Sequence, residues 1–444
     1  MLDSVAASGQ IVVIGAGIAG ISTAYHLAVK QRVSDVIVID PRPPLTLTSD
    51  KSTECYRNWW PDKSMVGLMN RSIDLLEQMA AESNDLFGLK RPGYLYVTGD
   101  PGTFETMKRE AEATSAMGAG DVRTHPGPVP YGPAEDGVDL LGPEQLRQHH
   151  PYITDRAVGA VQVRRAGHFS AQQLGAWMLE QSRTSGTRLI PATVVGINVK
   201  DGQVTGVTLD DGSTVNAEIV VVAAGPMAKP VTAMAGIDLP LFSELHIKVS
   251  FRDHRRVIPR DAGMFIWSDP QRLDWSDGER SALEEMGRED LTGEMPIYCH
   301  GRPEGGPESP YVVALWEYHR AVTEPSWPIE IDGLYPEVVM KGLTTMIPAL
   351  APYLDGLPEH HVDGGYYTKT EENRPLIGPC GPNGLQIVCG FSGFGVMVAS
   401  GAGDLAARHI TGDTLPDYAE DFLLSRYDRS EYVARMAVLG SGQL

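Results

Sequence analysis

"IVVIGAGIAGISTAYHLAVKQRVSDVIVID" (residues 11–40) is the stretch whose reading decides the fold. Ile11 to Ile14 form a continuous β-branched run, as a strand buried on both faces requires. Gly15-x-Gly17-x-x-Gly20 follows at once. In ISTAYHLAVK, residues Ile21, Ala24, Tyr25 and Leu27 share one helical face, and DVIVID (35–40) is a second buried strand ending in an acid. Each glycine has a physical task. Gly15 permits the tight turn, Gly17 lets the backbone approach a diphosphate, and Gly20 lets helix pack against strand. The diphosphate sits on the helix N-terminus, and Asp40 accepts bonds from ribose hydroxyls. Strand, glycines, helix and acid together are far more specific than the glycines alone. They predict dinucleotide binding by Gly15, Ala16, Gly17, Ile18, Ala19, Gly20 and Asp40, with Pro41 and Arg42 just beyond. Asp40 disfavours a ribose 2′-phosphate, a preference that Arg42 weakens. The stretch does not separate NAD from FAD.

The remaining composition narrows the class. A chain of 444 residues suits two or three domains. Hydrophobic residues at 42% and charged residues at 21% are ordinary for a soluble protein with a large core. The formal net charge of −20 disfavours nucleic acid or an anionic membrane as partner and leaves a small-molecule substrate. Four cysteines without a C-x-x-C pair read as reduced thiols of a cytoplasmic protein. Residues 1–9 lack the pattern of a signal peptide, the apolar runs are strand-length, and no spaced metal-ligand set is present.

Two downstream stretches add structure. LIPATVVGINVKDGQVTGVTLDDGSTVNAEIVVVAAGPMA (189–228) reads as strands and hairpins turning at KDGQ and DDGS, closing on a buried strand that ends at Ala224 and Gly225. In LQIVCGFSGFGVMVASGAGDLAARHITG (385–412) a strand enters a glycine loop and then a helix of small residues. That supplies a second helix N-terminus aimed at an anionic or electron-accepting group.

With the fingerprint, VVVAAGP, YYTKTEENRPLIGP (366–379) and GFSGFGVMVASGAGDLA, the chain resembles the D-amino-acid oxidase/sarcosine oxidase (DAO) superfamily of FAD-dependent oxidoreductases. The resemblance implies an α/β fold class: a glutathione-reductase-type FAD-binding Rossmann domain with an interleaved antiparallel-sheet substrate domain. The FAD-binding domain would comprise 1–93, 155–235 and 355–435, and the substrate domain 94–154 and 236–354. It implies FAD as resident cofactor, with Val194, Val195, Ala224, Gly225, Gly393, Phe394, Gly395, Val396 and Met397 among its contacts. It also implies hydride transfer to the flavin from a C–H bond beside an amine or, less often, a hydroxyl. Oxygen or another acceptor then reoxidises the flavin.

The resemblance assigns further residues in SDKSTECYRNWWPD (49–62). Ser52 and Thr53 match hydroxyl residues that contact the cofactor. Arg57 matches an arginine beside the flavin ring, where a guanidinium favours anionic reduced flavin or a substrate carboxylate. The alternative is a surface arginine stacked on Trp59 or Trp60. Sarcosine oxidases carry a flavin-bonding cysteine just before the YT of the C-terminal segment. Gly365 stands there, so non-covalent FAD is expected, with Cys55 an inert buried thiol. Their oxygen-activating lysine corresponds to YVVALWEYH, which has none. That leaves a dehydrogenase open beside an oxidase, and Lys248 in HIKVSF is the nearest cation. His319 is a candidate acid–base group or a structural histidine. Phe394 stands where family members often have histidine, so backbone N–H groups of 393–397 would stabilise negative charge at the flavin.

The function implied is FAD-dependent oxidation of a C–N bond in an amine or (N-alkyl) amino acid. A hydroxy-acid dehydrogenase, a tailoring flavoenzyme of specialised metabolism and a non-catalytic flavin-binding assembly factor remain as rivals. The acidic segment 269–309 reads as a solvated surface excursion rather than a lid or oligomer contact. PGPVPYGPAEDG (126–137) reads as a loop, and AVLGSGQL as a frayed tail.

Overall fold

The computed structural model describes residues 10–125 and 136–439. The expectations for residues 1–9, for most of the 126–137 loop and for the last five residues of the tail lie outside these.

Ile11–Ile14 is the buried strand the sequence predicts, in the interior of a six-stranded sheet. It pairs in parallel with Val36–Ile39 on one side and Ile219–Val222 on the other. Arg188–Ile190 and Leu385–Cys389 extend the parallel run, and Leu376–Pro379 adds an antiparallel edge. Alternate residues serve two cores, which is why these strands are apolar throughout. Ile11, Val13 and Val221 pack under the helices Ile18–Tyr25, Lys63–Glu82, Ala171–Thr184 and Gly395–Thr411. Val12, Ile14, Val220 and Val222 pack under a three-stranded sheet of Val194–Lys200, Gln203–Leu209 and Thr214–Asn216.

The helix ends are chemically specified. Asp62 accepts the Met65 N–H at 2.9 Å and starts Lys63–Glu82, while Gly412 ends Gly395–Thr411 in the left-handed conformation at φ 71°.

The second domain is built on a nine-stranded sheet. Its order is His360–Lys369, Phe242–Arg252, Tyr311–Leu315, Cys299–Pro303, Met264–Trp267, Tyr94–Thr98, Gly159–Val163, Val138–Leu141, Val122–Thr124. Pairing is antiparallel except between Met264–Trp267 and Tyr94–Thr98 and between the last two strands. Gly159–Val163 and His360–Lys369 were expected in the FAD-binding pieces, but both pair here. The local pattern of an alternating strand does not name its partner; the sheet that adopts it is set by contacts distant in sequence.

Segment 269–309 departs from the reading as a solvated excursion. Its helix Asp277–Glu285 turns its acids outward, but Trp275, Leu283, Leu291 and Met295 are buried in the core of the second domain. Trp275 Nε1 donates to the Leu291 carbonyl at 2.9 Å, and Lys341 Nζ lies 4.3 Å from the Trp275 ring. A few apolar residues carry the packing, and average polarity hides them. Trp275→Ala is therefore expected to destabilise the protein by about 3–5 kcal/mol in urea denaturation. A change below about 0.5 kcal/mol, typical of a surface site, would return the segment to the solvent.

Candidate active site

The parallel strands deliver their C-terminal ends to one cleft. At its start Gly15 has φ +109°, and a Cβ there would overlap the Ala223 carbonyl oxygen; a Cβ on Gly20 would overlap the Gly15 carbonyl oxygen. The helix Ile18–Tyr25 thus begins flush against the sheet, its N-terminus open to the cleft. Asp40 holds this turn: one carboxylate oxygen accepts the Ala16 N–H at 2.8 Å and the other the Arg42 N–H at 2.8 Å. Ser49 Oγ accepts the Ile18 N–H at 3.0 Å.

The cleft runs from Gly15–Ala19 past Ala223–Pro226 to Gly390–Val396, where the helix Gly395–Thr411 begins. Gly225, at φ +51°, has open space where a Cβ would stand. Glycines and helix N-termini at both ends fit an elongated cofactor carrying a diphosphate at one end and an acceptor of negative charge at the other.

Gly393 and Tyr367 partition this cleft from a small inner chamber, since both border each space. The contact is tight enough that a Cβ on Gly393 would strike the Tyr367 ring. Arg57, only 5% exposed, lies in the chamber wall with its guanidinium 4.9 Å from the Trp60 ring and 5.6 Å from the Tyr94 ring. It stacks on an aromatic ring inside the protein, not on the surface. Trp60 in turn meets Phe394 edge-on at 4.8 Å. Cys55 also borders the chamber, and its thiol donates to the Thr53 carbonyl at 3.2 Å. Beyond lies a larger outer cavity that shares Arg57 and Glu317 with the chamber and adds Glu244, Arg320 and Lys369.

Behind Glu317 sits a buried polar cluster. His246 stacks on Tyr367 with ring centroids 3.8 Å apart and planes 13° from parallel. Its Nδ1 is 3.4 Å from Glu317 Oε1, and its Nε2 is 3.1 Å from Glu244 Oε2. Lys369 Nζ reaches the same Glu244 oxygen at 2.7 Å. Burial alone would strip the His246 proton, but the Glu317 and Glu244 carboxylates hold its pKa above the ordinary imidazole value. Burial would raise the Glu244 carboxyl, but its His246 and Lys369 partners hold it low. His300, also on the chamber wall, is pushed down by burial.

Of the residues singled out from sequence, Gly15, Ala16, Gly17, Ile18, Ala19, Asp40, Arg42, Ser52, Ala224, Gly225, Gly393, Gly395 and Val396 border the long cleft. Thr53, Arg57, Gly393, Phe394 and Met397 border the chamber. Gly20 is buried beneath the turn, and Pro41 is exposed. Val194 lies in the core under the three-stranded sheet and Val195 faces solvent, so neither borders the cleft. Lys248 donates to the Ser52 carbonyl at 2.9 Å, and burial lowers its pKa. It anchors the cofactor-side loop and does not border the chamber. His319 turns away to Asp332, at 2.9 Å. Glu244, His246 and Glu317 were not singled out, although E-x-H-x-K in SELHIKVSF places Glu244, His246 and Lys248 on one strand face.

Comparison with known proteins matches residues 10–409 to the family model described as DAO, FAD dependent oxidoreductase. Among curated proteins, the chain is 25% identical over 240 residues to the mitochondrial dimethylglycine dehydrogenase of Rattus norvegicus, which is 53% of this chain and 26% of that protein. It is 21% identical over 413 residues to the formaldehyde-forming 4-methylaminobutanoate oxidase of Paenarthrobacter nicotinovorans, 91% of this chain and 44% of the relative. The chain therefore spans less than half the length of these two relatives. In fold it is similar to L-proline dehydrogenase from P. horikoshii (TM-score 0.75, 23% identity, 96% of this chain and 99% of that one). Glycine oxidase from Bacillus cereus ATCC 14579 has a TM-score of 0.69 at 17% identity, covering 94% of this chain and 98% of that one.

Two outcomes follow from the cleft. Gly393→Val places a side chain in the Tyr367 ring, and absorbance at the flavin maximum is expected to report less than half the wild-type FAD content. Acid precipitation is expected to release the flavin into the supernatant, because Gly365 offers no nucleophile. Yellow precipitate would identify a covalent bond.

Proposed function

This chain belongs to the DAO family of FAD-dependent oxidoreductases, and from that premise we propose that it oxidises the C–N bond of a small amino acid or N-alkyl amino acid. One observation carries the proposal: Arg57 and Glu317, of opposite charge and both at most 9% exposed, each border the inner chamber and the outer cavity. A cation and an anion at one chamber wall match the carboxylate and the ammonium of a zwitterion. FAD, when bound, supplies the electron acceptor for the C–H bond beside the nitrogen.

The chain's own residues do the rest. The Arg57 guanidinium lies against the Trp60 and Tyr94 rings, and its positive charge at the chamber wall favours a carboxylate there. Leu315, Phe394 and Met397 line the chamber and exclude water. Backbone N–H groups at the start of Gly395–Thr411 favour negative charge at that end of the cleft. The buried Glu317 carboxylate weighs against a hydroxy acid, whose hydroxyl brings no positive charge. Relatives named for dimethylglycine, 4-methylaminobutanoate and sarcosine support an N-methylated amino acid as the substrate class.

The test is anaerobic bleaching of the bound flavin by a panel of glycine, sarcosine, N,N-dimethylglycine, 4-methylaminobutanoate, L-proline and matched hydroxy acids. Bleaching by an amine and not by its hydroxy analogue is expected. If no amine bleaches the flavin, the proposal fails. Arg57→Ala is expected to lower kcat/KM by roughly 2 kcal/mol or more, at least about 30-fold, with FAD content retained. Peroxide released on reoxidation in air identifies oxygen as the acceptor, and its absence identifies another.

A further inference from the structure

An amine yields hydride from its α-carbon only when its nitrogen lone pair is free, so a bound ammonium must first lose a proton. The four-residue line Glu317, His246, Glu244 and Lys369 offers a route for it. The spacings are 3.4 Å from Glu317 Oε1 to His246 Nδ1, 3.1 Å from His246 Nε2 to Glu244 Oε2 and 2.7 Å from that oxygen to Lys369 Nζ. Of the four, Glu317 alone borders the inner chamber, and Glu317, Glu244 and Lys369 all border the outer cavity. The line thus starts at the chamber, where a substrate nitrogen would lie, and runs through buried His246 to two further groups on the outer cavity.

We propose, resting on the functional reading above, that Glu317 accepts the ammonium proton of the bound substrate and that His246 and Glu244 pass it to the outer cavity. In the first step the substrate N–H bond breaks and an O–H bond forms on Glu317, with no transfer of electrons. The proton moves from Glu317 to His246 Nδ1 while the Nε2 proton passes to Glu244 and then to water. Lys369 keeps its charge and holds Glu244 ionised between transfers. FAD, when bound, would then accept the hydride, which carries both electrons of the broken substrate C–H bond, and the substrate would leave as an iminium. Glu317 is the proton acceptor, and His246, Glu244 and Lys369 position and relay.

The groups around His246 set the direction of the pH effect. Glu244 and Lys248 share its strand; Glu317 and Arg320 come from the segment after Tyr311–Leu315; Tyr367 and Lys369 come from His360–Lys369; His300 and Arg57 lie across the chamber. The two carboxylates prevail, so His246 becomes neutral and able to relay only above the ordinary imidazole range.

The experiment is the anaerobic flavin-reduction rate across pH 6 to 10.5, measured by stopped flow with the best amine of the panel, for wild type, Glu317→Gln and Glu244→Gln. The wild-type rate is expected to rise through an apparent pKa between about 6.5 and roughly 10, the ordinary imidazole and amine values. Glu317→Gln is expected to slow reduction at pH 7.5 on the order of 10²-fold, with the rise moved to the amine's own pKa and FAD content unchanged. Glu244→Gln is expected to give a smaller loss in the same direction. Independently of substrate, the ¹³C-histidine resonance of His246, assigned with His246→Asn, is expected to titrate above 6.5 in wild type and lower in Glu317→Gln. If amines reduce wild type and Glu317→Gln with one shared pH profile, or if His246 titrates identically in both, the proton route is overturned while the functional reading stands. If no amine reduces wild type, the functional reading fails and the route falls with it.

Discussion

The structure turns on a place where there is no room for a side chain. The Gly15 carbonyl sits where a Cβ of Gly20 would be, and the Ala223 carbonyl where a Cβ of Gly15 would be. That approach seats the helix Ile18–Tyr25 on the strand Ile11–Ile14 and brings the end of Ile219–Val222 alongside. Residues near positions 15, 224 and 393 consequently share one cleft. The second close approach, Gly393 against the Tyr367 ring, repeats the device at the far end and lies between the cleft and the chamber. Both depend on glycine, because only a missing Cβ lets backbone and ring share the position.

This logic explains what was legible in the sequence. The fingerprint could be read because its constraints are local: β-branched run, glycine spacing and helix onset lie within a few residues of one another. The chamber could not, because its chemistry depends on register between strands distant in sequence. HIKVSF stands out for the charge of Lys248, yet the same face carries Glu244 and His246, and the partner strand His360–Lys369 and the segment after Tyr311–Leu315 supply Lys369 and Glu317, which give His246 its meaning. Val194 and Val195 belong to a hairpin that packs behind the sheet, a placement that no local pattern encodes. Glu317 and His319 share a phase in YVVALWEYH, but the strand ends at Leu315; the chain then leaves Glu317 inward and sends His319 to Asp332.

Buried charge is the costliest component of the site. An ion moved from water into a protein interior loses hydration that only close, well-placed partners offset. The second domain meets this by alternating sign along the Lys369, Glu244, His246 and Glu317 line, which lies against the edge pair Phe242–Arg252 and His360–Lys369. Stacking on Tyr367 fixes the imidazole plane, so both ring nitrogens are aimed at carboxylates. A purely structural core would be as stable with apolar residues in these positions. Keeping four ionisable groups beside a chamber is more economically explained by proton transfer there than by stability.

The cations nearest the cofactor-side loop serve a different end. Lys248 donates to the Ser52 carbonyl and Arg302 to the Thr53 carbonyl at 2.6 Å, so two strands of the second domain grip the loop that borders the cleft. The directly paired neighbour of Lys248 across the sheet is Leu315, which presents an apolar surface to the chamber. The chamber is therefore assembled from both domains: Arg57, Trp60 and Phe394 from the one, Leu315, Glu317 and Tyr367 from the other. The long cleft is drawn mainly from the first domain's turns. Substitutions at Leu315 or Glu317 can then alter the chamber without touching the turns at Gly15 and Gly20, whereas a change at Gly393, which borders both spaces, strikes cleft and chamber together. The physical basis of that separation is that the cleft is shaped by backbone geometry and the chamber by side chains.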